Sequence, residues 1–364
     1  MSQTLAERLS DRIRREGPIT FRAWMEAALY DERQGYYCRK DLARWGRQGD
    51  YRTSPETSAL FAATFARYFA QLFAELGSPE MFTVVEIGGG AGHFAAEVLE
   101  TLRGRFPAVF DRLNYVFDEI SNDARIRAAD QVAKFSERVR FEHLCELRPI
   151  DSGVIFSNEL IDALPVHRIG LLERKLHELY VSLSENGDFT LVDGPVSSPR
   201  LLGYLERFQI QLRDRQVVEI NLALEDWYRE VANKLRHGYV ITVDYGCEAG
   251  ELHGPARNQV TLRAFQRHRL AQDILTSPGE QDITSTVDWT VMKEIGRELG
   301  FELVTFEAQD RFLLNCGLLE ELELKASEVE TEAERLRLRT SVREMILPGG
   351  LASSFQVLVQ QKDR

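Results

Sequence analysis

The sequence lacks a long apolar run, and no stretch approaches the ~18 consecutive residues that a membrane-spanning helix needs. Cysteine is scarce: the four cysteines lie far apart and form no CxxC pair, which disfavours a disulfide framework or a structural zinc site. Positive charge is not in excess, because 45 Lys and Arg face 57 Asp and Glu, a net charge of -12. We therefore predict no membrane insertion, no metal and no nucleic-acid partner.

The first residues also lack the hydrophobic core of a secretory signal. They contain Glu7, Asp11 and Glu16, whereas a mitochondrial transit peptide is poor in acids. Together with the cysteine usage, this predicts a cytoplasmic location, with an already mature protein of another compartment as the alternative.

The chain has 364 residues, enough for one elaborated domain or two. Composition and periodicity divide it into four regions: a helical N-terminal region, the first part of a core, an insertion with a hairpin near Asn186-Gly187, and the second part of the core. These regions are 1–80, 81–164, 165–237 and 238–364. The last contains a charged helical stretch, 318–346, which we interpret as a solvated helix face.

From residue 82 onward, apolar β-runs alternate with helical patterns such as 94–102, 124–135 and 287–299. The predicted strands are 83–87, 114–120, 139–144, 153–157, 239–246, 301–309 and 354–361. This alternation predicts an α/β fold with an open, doubly wound and largely parallel sheet, whose last strand is hairpin-like.

A glycine loop, Gly88-Gly89-Gly90-Ala91-Gly92, follows the strand that ends in Glu86-Ile87. Glycines allow a tight turn and the close approach of a ligand. The dinucleotide pattern G-x-G-x-x-A fits only from Gly90 to Ala95, two residues too late. The form E-x-G-x-G-x-G instead matches the adenosylmethionine loop of class I methyltransferases, in which Glu86 would supply negative charge near a cationic ligand. A plain strand-to-helix turn remains the alternative.

An acid closes the next strand at Glu119, a place where acids bind ribose hydroxyls. Asp118 precedes it directly, and either carboxylate could face the ligand.

Ordered matches along nearly the whole chain resemble one family, the MidA-like class I methyltransferases, which include a mitochondrial arginine methyltransferase that assists complex I assembly. The matching segments are Gly17-Pro18-Ile19, Trp24-Met25, Gly35-Tyr36-Tyr37, 49–58, Glu119-Ile120-Ser121, 158–166, Asp244-Tyr245-Gly246, Arg263-Ala264-Phe265, His268, Pro278-Gly279, Asp282-Ile283-Thr284 and Val287-Asp288. The chain departs from the family at Gly89, where proline is usual, at Ala91-Gly92-His93, and at Leu160 and Ile161.

The resemblance implies the class I methyltransferase (Rossmann-like) fold, a seven-stranded sheet with a helical N-terminal extension and an inserted substrate-side subdomain. It implies S-adenosyl-L-methionine as the cofactor, covered by loop 49–58, and allows a homodimer. The implied cofactor contacts are Asp50, Thr53, Ser54, Glu86, Gly88, Gly90, Gly92, Glu119 and Asn158. Ser54 has an alternative interpretation as a helix cap.

Two carboxylates, Glu159 and Asp162, follow the strand 153–157 at its carboxyl end, where α/β sheets place ligands. If a helical turn begins there, their spacing lets them face one side. Such a pair suits a guanidinium, so we predict both as catalytic residues. A helix cap and an ion pair are the structural alternatives. Asp244-Tyr245-Gly246 either faces the same site or forms a turn.

These features predict a methyltransferase acting on an arginine of a protein, with a respiratory complex I subunit allowed by the resemblance. One alternative is an adenosylmethionine-binding assembly factor or chaperone without turnover. Another is an NAD-linked oxidoreductase, which Glu86 and the glycine register disfavour. We expect the insertion to bind the protein acceptor or to form an oligomer interface.

Overall fold

The computed structural model describes residues 3–39, 59–254, 261–266, 269–347 and 354–363. Three predicted cofactor residues, Asp50, Thr53 and Ser54, lie outside these residues, as does His268.

The described part of the chain alternates strands and helices. Its strands are β1 (Ile19–Thr20), β2 (Phe82–Ile87), β3 (Leu113–Asp118), β4 (Val139–Phe141), β5 (Gly153–Asn158), β6 (His167–Leu172), β7 (Lys175–Leu183), β8 (Phe189–Gly194), β9 (Val217–Ile220), β10 (Gly238–Cys247), β11 (Arg263–Gln266), β12 (Arg269–Leu270), β13 (Asp282–Thr284), β14 (Val287–Asp288), β15 (Glu302–Ala308) and β16 (Phe355–Lys362). Its α-helices are α1 (Leu5–Glu16), α2 (Phe21–Tyr30), α3 (Ala59–Glu75), α4 (His93–Arg105), α5 (Pro107–Phe110), α6 (Asn122–Gln131), α7 (Pro199–Arg207), α8 (Leu222–Lys234), α9 (Ala249–Leu252), α10 (Trp289–Glu298), α11 (Gln309–Asn315), α12 (Leu318–Glu328) and α13 (Glu332–Ile346).

The central sheet has the order β15-β16-β10-β5-β2-β3-β4. Strands β2, β3, β4, β5 and β10 run parallel, and β16 pairs antiparallel with both β10 and β15. The predicted fold class is confirmed, including the hairpin-like last strand. The strand order reverses between β2 and β5, so the carboxyl ends of these strands open the crevice where such sheets bind ligands.

Some predicted boundaries differ from the observed ones. The second predicted strand ends at Asp118, before Glu119, and the helix predicted over 287–299 begins with the short strand β14. The chain leaves β3 early because Glu119 accepts backbone bonds from the glycine loop and from Ser121. Val287 and Asp288 pair in parallel with Gly246 and Cys247 of β10, and Asp288 then caps α10.

Both faces of the central sheet are covered by helices. On one face, Phe65 and Phe69 of α3 pack with Phe94 of α4 and Phe156 of β5, and the last two rings stack at 4.5 Å. Full burial of each such ring stabilises the fold by about 1.5–3 kcal/mol. On the other face, α8 and α10 bury Tyr228 and Trp289.

A second sheet joins the N-terminal region to the insertion. Its order is β1-β7-β6-β9, with β8 paired to β7, and Ile19 of β1 lies opposite Val181 of β7. The predicted hairpin is present, since β7 and β8 flank residues 184–188. Trp24 of α2 and Val181 lie in one apolar core. The N-terminal region and the insertion are therefore structurally continuous, although they are distant in sequence.

The charged stretch 318–346 forms α12 and α13, mostly with exposed acids and bases. Glu321 is an exception to the predicted solvated face, because it is fully buried and bonded to Arg105 and Arg67. Within the described residues, no helix is long and apolar enough to cross a membrane.

Candidate active site

The glycine loop occupies the end of β2. Gly88, Gly90 and Gly92 have positive φ angles of 72°, 56° and 82°, which favour glycine over other residues. A Cβ on Gly92 would also lie 2.7 Å from the Cα of Ala128. The loop therefore brings its backbone close to α6 and leads directly into the N-terminus of α4, which begins at His93.

Glu86 lies beneath this loop and is almost fully buried. Its Oε2 accepts a hydrogen bond from the Tyr115 hydroxyl at 2.7 Å, and burial raises the pKa of Glu86 to about 8. The carboxyl group is therefore mostly protonated near neutral pH. The sequence-based expectation that Glu86 supplies negative charge to a cationic ligand does not fit this geometry, whereas support of the loop does.

The two acids at the end of β3 point to different partners. Asp118 contacts Nδ1 of His143 and accepts from the Leu144 N–H, both at 2.8 Å. Glu119 accepts from the Gly90 N–H at 2.9 Å and from the Ser121 N–H at 2.7 Å. Of the two alternatives, Glu119 faces the glycine loop, and Asp118 tethers the chain after β4.

The Glu159–Ala163 segment, called here the β5 loop, forms a turn rather than a helix. Glu159 has a left-handed φ of 51°, which a helical turn does not allow. The helical-spacing argument for Glu159 and Asp162 is therefore wrong, although both residues still lie at the carboxyl end of β5.

Bonds from several elements hold the β5 loop in place. The Asp244 Oδ2 accepts the N–H groups of Ile161 and Asp162 at 2.9 and 3.2 Å. The Ser285 N–H donates to the Asp162 carbonyl at 2.8 Å, and the Tyr30 hydroxyl donates to the Ala163 carbonyl at 3.0 Å. Asp244 is thus a positioning residue for this loop. This role differs from both interpretations that the sequence allowed, a residue that faces the site and a simple turn.

Acids surround the Asp162 side chain. Burial raises its pKa well above the usual range, and the charges of Asp244 and Asp282 raise it further. Burial also raises the pKa of Asp244 to about 8. Asp244 accepts three N–H groups, one of them from Tyr245 at 2.8 Å, and these bonds favour the carboxylate form of Asp244.

Within the described residues, four buried side-chain atoms near this loop have no hydrogen-bond partner. They are Asn158 Oδ1, Asp162 Oδ1, the Tyr245 hydroxyl and Thr284 Oγ1. Tyr245 lies beside Asp162 and Thr284 without reaching hydrogen-bond geometry. Since buried polar groups are normally paired, this group of atoms marks a place for a polar ligand.

Sequence reasoning did not assign Tyr30, Asp282 or Thr284 to the site. Asp282 and Thr284 belong to a segment that matched the resembled family, which was the available signal. The Tyr37 hydroxyl donates to Asp282 at 2.6 Å. Tyr30 offered no sequence signal, because its position at the end of α2 is typical of a packing residue.

Comparison with known proteins decides what this arrangement is. The family model of S-adenosyl-L-methionine-dependent methyltransferases matches residues 64–306. The chain belongs to this methyltransferase family. A crystal structure of a superfamily member from Burkholderia thailandensis, bound to S-adenosyl-homocysteine, is 30% identical, with a TM-score of 0.87 over 98% of this chain and 92% of that one.

Curated relatives of this methyltransferase agree. A Drosophila melanogaster protein named protein arginine methyltransferase NDUFAF7 homolog, mitochondrial, is 28% identical over 82% of this chain and 71% of its own length. The Bos taurus protein named protein arginine methyltransferase NDUFAF7, mitochondrial, is 22% identical over 95% of this chain and 81% of its own.

The methyltransferase uses S-adenosyl-L-methionine, as predicted. The glycine loop, the inward-facing Glu119 and the unpartnered oxygen of Asn158 fit a ligand with ribose hydroxyls and an amino group, since each can accept or approach closely. The prediction of a cytoplasmic location is contradicted, because these relatives are named as mitochondrial proteins.

Proposed function

We propose that this methyltransferase transfers a methyl group to an arginine side chain of a protein. The observation that carries the proposal is the buried carboxyl group of Asp162, whose Oδ1 has no hydrogen-bond partner within the described residues and which lies near Tyr245, as Tyr245 lies near Thr284. A guanidinium offers five N–H donors and no acceptor, and the Asp162 carboxylate and the two hydroxyl oxygens can all accept from it.

The residues that would hold the cofactor lie next to this pocket. We propose that Glu119 binds the ribose hydroxyls, that Gly88, Gly90 and Gly92 admit the cofactor close to the backbone, and that Asn158 binds its amino-acid end. Glu86 supports the loop from below. Asp50, Thr53 and Ser54 stay predictions. When bound, the cofactor supplies an electrophilic methyl group on its sulfonium.

Asp162 has the central role in the proposed chemistry. Without an acceptor it holds a proton because burial and two neighbouring acids raise its pKa. A guanidinium that binds beside Asp162 favours the carboxylate, so the Asp162 proton passes to solvent as the acceptor binds. The carboxylate would then orient one guanidinium nitrogen toward the methyl group, and most of the rate effect would come from this orientation. The nitrogen–carbon bond would form as the methyl–sulfur bond breaks, and the nitrogen would give one proton to Asp162, so that the product guanidinium keeps a single positive charge.

Glu159 is the second proposed catalytic residue, but with a different position from Asp162. Its Oε1 accepts from the Asn158 amide at 3.2 Å, and its side chain is partly exposed. We propose that Glu159 forms the outer side of the guanidinium clamp, next to the cofactor end at Asn158. The left-handed backbone at Glu159 supports a position different from the one that a helical turn would give.

The names of the relatives support a protein arginine as the acceptor. The inserted sheet supplies the surface that a protein acceptor needs, because it continues from the β5 loop in the chain. A complex I subunit as the acceptor and a homodimer both remain predictions from the family resemblance.

The test is transfer of an isotope-labelled methyl group into a lysate, followed by mass spectrometry of the labelled protein. We expect label on arginine, a large loss with Asp162→Asn and unchanged adenosylhomocysteine affinity. Label on another side chain or on small molecules alone would overturn the proposal. Tight adenosylhomocysteine binding without any transfer would instead favour an assembly factor without turnover.

A further inference from the structure

A solvent-open groove with a volume of about 1140 Å³ lies where three segments of the chain meet. Its walls are one face of α1, the tip of the β7–β8 hairpin at residues 187–189, and the loop 273–277 that precedes β13. We call it the N-terminal groove. Its volume exceeds the roughly 300–1,000 Å³ of typical small-molecule sites, so it has room for several residues of a peptide.

Acids dominate the described residues that line the N-terminal groove. They are Glu7 and Asp11 of α1, Asp188 of the hairpin and Asp273 of the loop, and all four are exposed. Arg14 is the one base among the described lining residues, and its Nη1 lies 2.9 Å from Oδ1 of Asp11. This ion pair leaves three negative charges, which come from three different segments of the chain.

The three remaining carboxylates have no cation as a partner within the described part of the chain. The Oε2 of Glu7 accepts the Thr4 N–H at 2.7 Å, and Oδ1 of Asp273 accepts the Leu275 N–H at 2.9 Å. These backbone bonds orient the two side chains without cancelling their charge. Each carboxylate has two acceptor oxygens, so each can still accept from a cationic ligand.

The groove also has an apolar surface between its acids. Phe189 at the start of β8 is half-buried, and Leu275 of the loop is buried, and both line the groove. Lysine and arginine have aliphatic stems that pack on such a surface while the charged head stays in water. The groove therefore complements basic side chains in shape as well as in charge.

The loop that forms one wall of the groove leads directly to the acceptor site. Nε2 of Gln281 donates to the Thr276 carbonyl at 2.8 Å and so holds the loop. The next residue, Asp282, begins β13, and its charge acts on Asp162. Ser277 and Asp282 are five residues apart, at most ~18 Å. An extended peptide with its arginine at Asp162 therefore reaches the groove about five to eight residues away.

We propose that the N-terminal groove binds a basic segment of the protein acceptor, about five to eight residues from the arginine that is methylated. This rests on the proposed function, because it gives the acceptor a second contact on the same polypeptide. The groove acids attract such a segment and disfavour an acidic one, so α1 and the hairpin select which arginines reach Asp162.

The groove is tested with synthetic peptides, titrated into the full chain with saturating adenosylhomocysteine and followed by calorimetry. Every peptide has one arginine, and the compared peptides carry either three lysines or three glutamines about five to eight residues from it. Two versions place these residues before or after the arginine. We expect the lysines to raise the affinity about tenfold at low salt in one version, a size typical of three exposed ion pairs. This gain should shrink as salt is added.

A triple variant removes the groove charge and keeps the bonds of its side chains. Glu7→Gln retains the capping box, Asp188→Asn suits a turn, and Asp273→Asn retains the oxygen that accepts the Leu275 N–H. This variant should lose the gain from the lysines. Its adenosylhomocysteine affinity and its affinity for the glutamine peptide should match those of the wild type.

A second triple variant is the control for net charge. Glu302→Gln, Glu328→Gln and Glu344→Gln neutralise three exposed acids on β15, α12 and α13, far from the groove in sequence. It should keep the full gain from the lysines. An equal loss of the gain in both triple variants overturns the proposal, since it would show general attraction to an acidic protein. An undiminished gain in the groove variant, or no gain in the wild type, overturns it too.

A lysine peptide with alanine in place of the arginine separates this proposal from the proposed function. If the lysine gain persists in that peptide and no arginine is labelled in the methyl-transfer assay, the proposed function fails and the groove still binds a basic segment. If arginine is labelled and the lysines change no affinity, the groove proposal fails alone.

Discussion

Gly89 shows how one position in the glycine loop depends on a neighbouring strand. A Cβ at this position would lie 2.4 and 2.5 Å from two ring atoms of Phe117 on β3, and 2.9 Å from the Glu86 carboxyl carbon. The resembled family usually has proline here. In this chain the Phe117 ring fills the space that a larger residue needs, which gives a physical reason for the departure.

Gly89→Ala should destabilise the protein by roughly 1–3 kcal/mol, the usual cost of overpacking. Gly104→Ala is a matched control, because a Cβ there meets nothing within 4 Å and alanine favours a helix. Denaturant unfolding measures both. Since the contact is with the Phe117 side chain, Gly89→Ala should destabilise a Phe117→Leu protein less than it destabilises the wild type. Equal stability of the two alanine variants would contradict this account.

Glu86 and Glu119 form a second matched pair, because Glu86 bonds to Tyr115 beneath the glycine loop and Glu119 accepts an N–H of the loop itself. Glu86→Gln should keep cofactor affinity nearly unchanged, because a protonated carboxyl resembles an amide. Glu119→Gln should weaken it about tenfold or more, because the amide replaces one acceptor oxygen with a donor that opposes the backbone N–H groups. Calorimetry with adenosylhomocysteine measures both, and the reverse order would restore the electrostatic role first expected for Glu86.

The raised pKa of Glu86 also predicts a pH effect. Its folded pKa of about 8 exceeds the model-peptide value of 4.5, so the folded state binds the proton more tightly than the unfolded state. This contribution is fully present below the unfolded pKa and is lost as the pH rises toward 8. The Tm of Glu86→Gln should therefore rise relative to the Tm of the wild type as the pH increases from 5 to 8.

At the scale of elements, the β5 loop derives its shape from its surroundings. Four of its backbone bonds come from β10, the segment after β13, α2 and the residue before α8. Asp244 contributes most, because its carboxylate accepts the N–H groups of Ile161 and Asp162 in the β5 loop and of Tyr245 on its own strand. The loop geometry is therefore fixed by residues that are far away in sequence.

Asp244→Asn replaces one acceptor oxygen with a donor that opposes the loop N–H groups. Methyl transfer should fall at least tenfold, whereas cofactor affinity should change little, because Asp244 does not face the glycine loop. Ser182→Ala on the inserted sheet is a control that leaves the loop untouched. The labelled-methyl assay and calorimetry give the two readouts, and a loss of cofactor affinity as large as the loss of turnover would count against a positioning role.

Sequence patterns predicted the seven strands of the central sheet well, because buried strands carry a strong apolar signal that turn residues interrupt. They also placed Asn158, Glu159 and Asp162 at the correct end of β5. They failed on the conformation of the β5 loop, since the spacing of two acids carries no record of the Asp244 bonds that determine it. They also missed Tyr30, which reaches the site only through tertiary packing.

At the scale of the whole molecule, the N-terminal region and the insertion share a sheet and an apolar core. Phe21 and Trp24 of α2 are fully buried with Val181 of β7, and β1 extends the inserted sheet. Tyr30 and Tyr37 then connect the same region to the β5 loop and to Asp282. The inserted sheet and the β5 loop are thus connected through direct contacts of the N-terminal region.

This shared core predicts that a substitution in the N-terminal region destabilises the inserted sheet. Trp24→Ala removes a fully buried ring at a cost of about 3–5 kcal/mol. Hydrogen exchange should then rise in β6, β7 and β8, more than 140 residues further along the chain than Trp24. Leu99→Ala, on α4 in the other core, is the control and should leave these strands protected. If the inserted strands keep their protection in Trp24→Ala, the N-terminal region and the insertion open independently, and the acceptor surface is not coupled to the walls of the site.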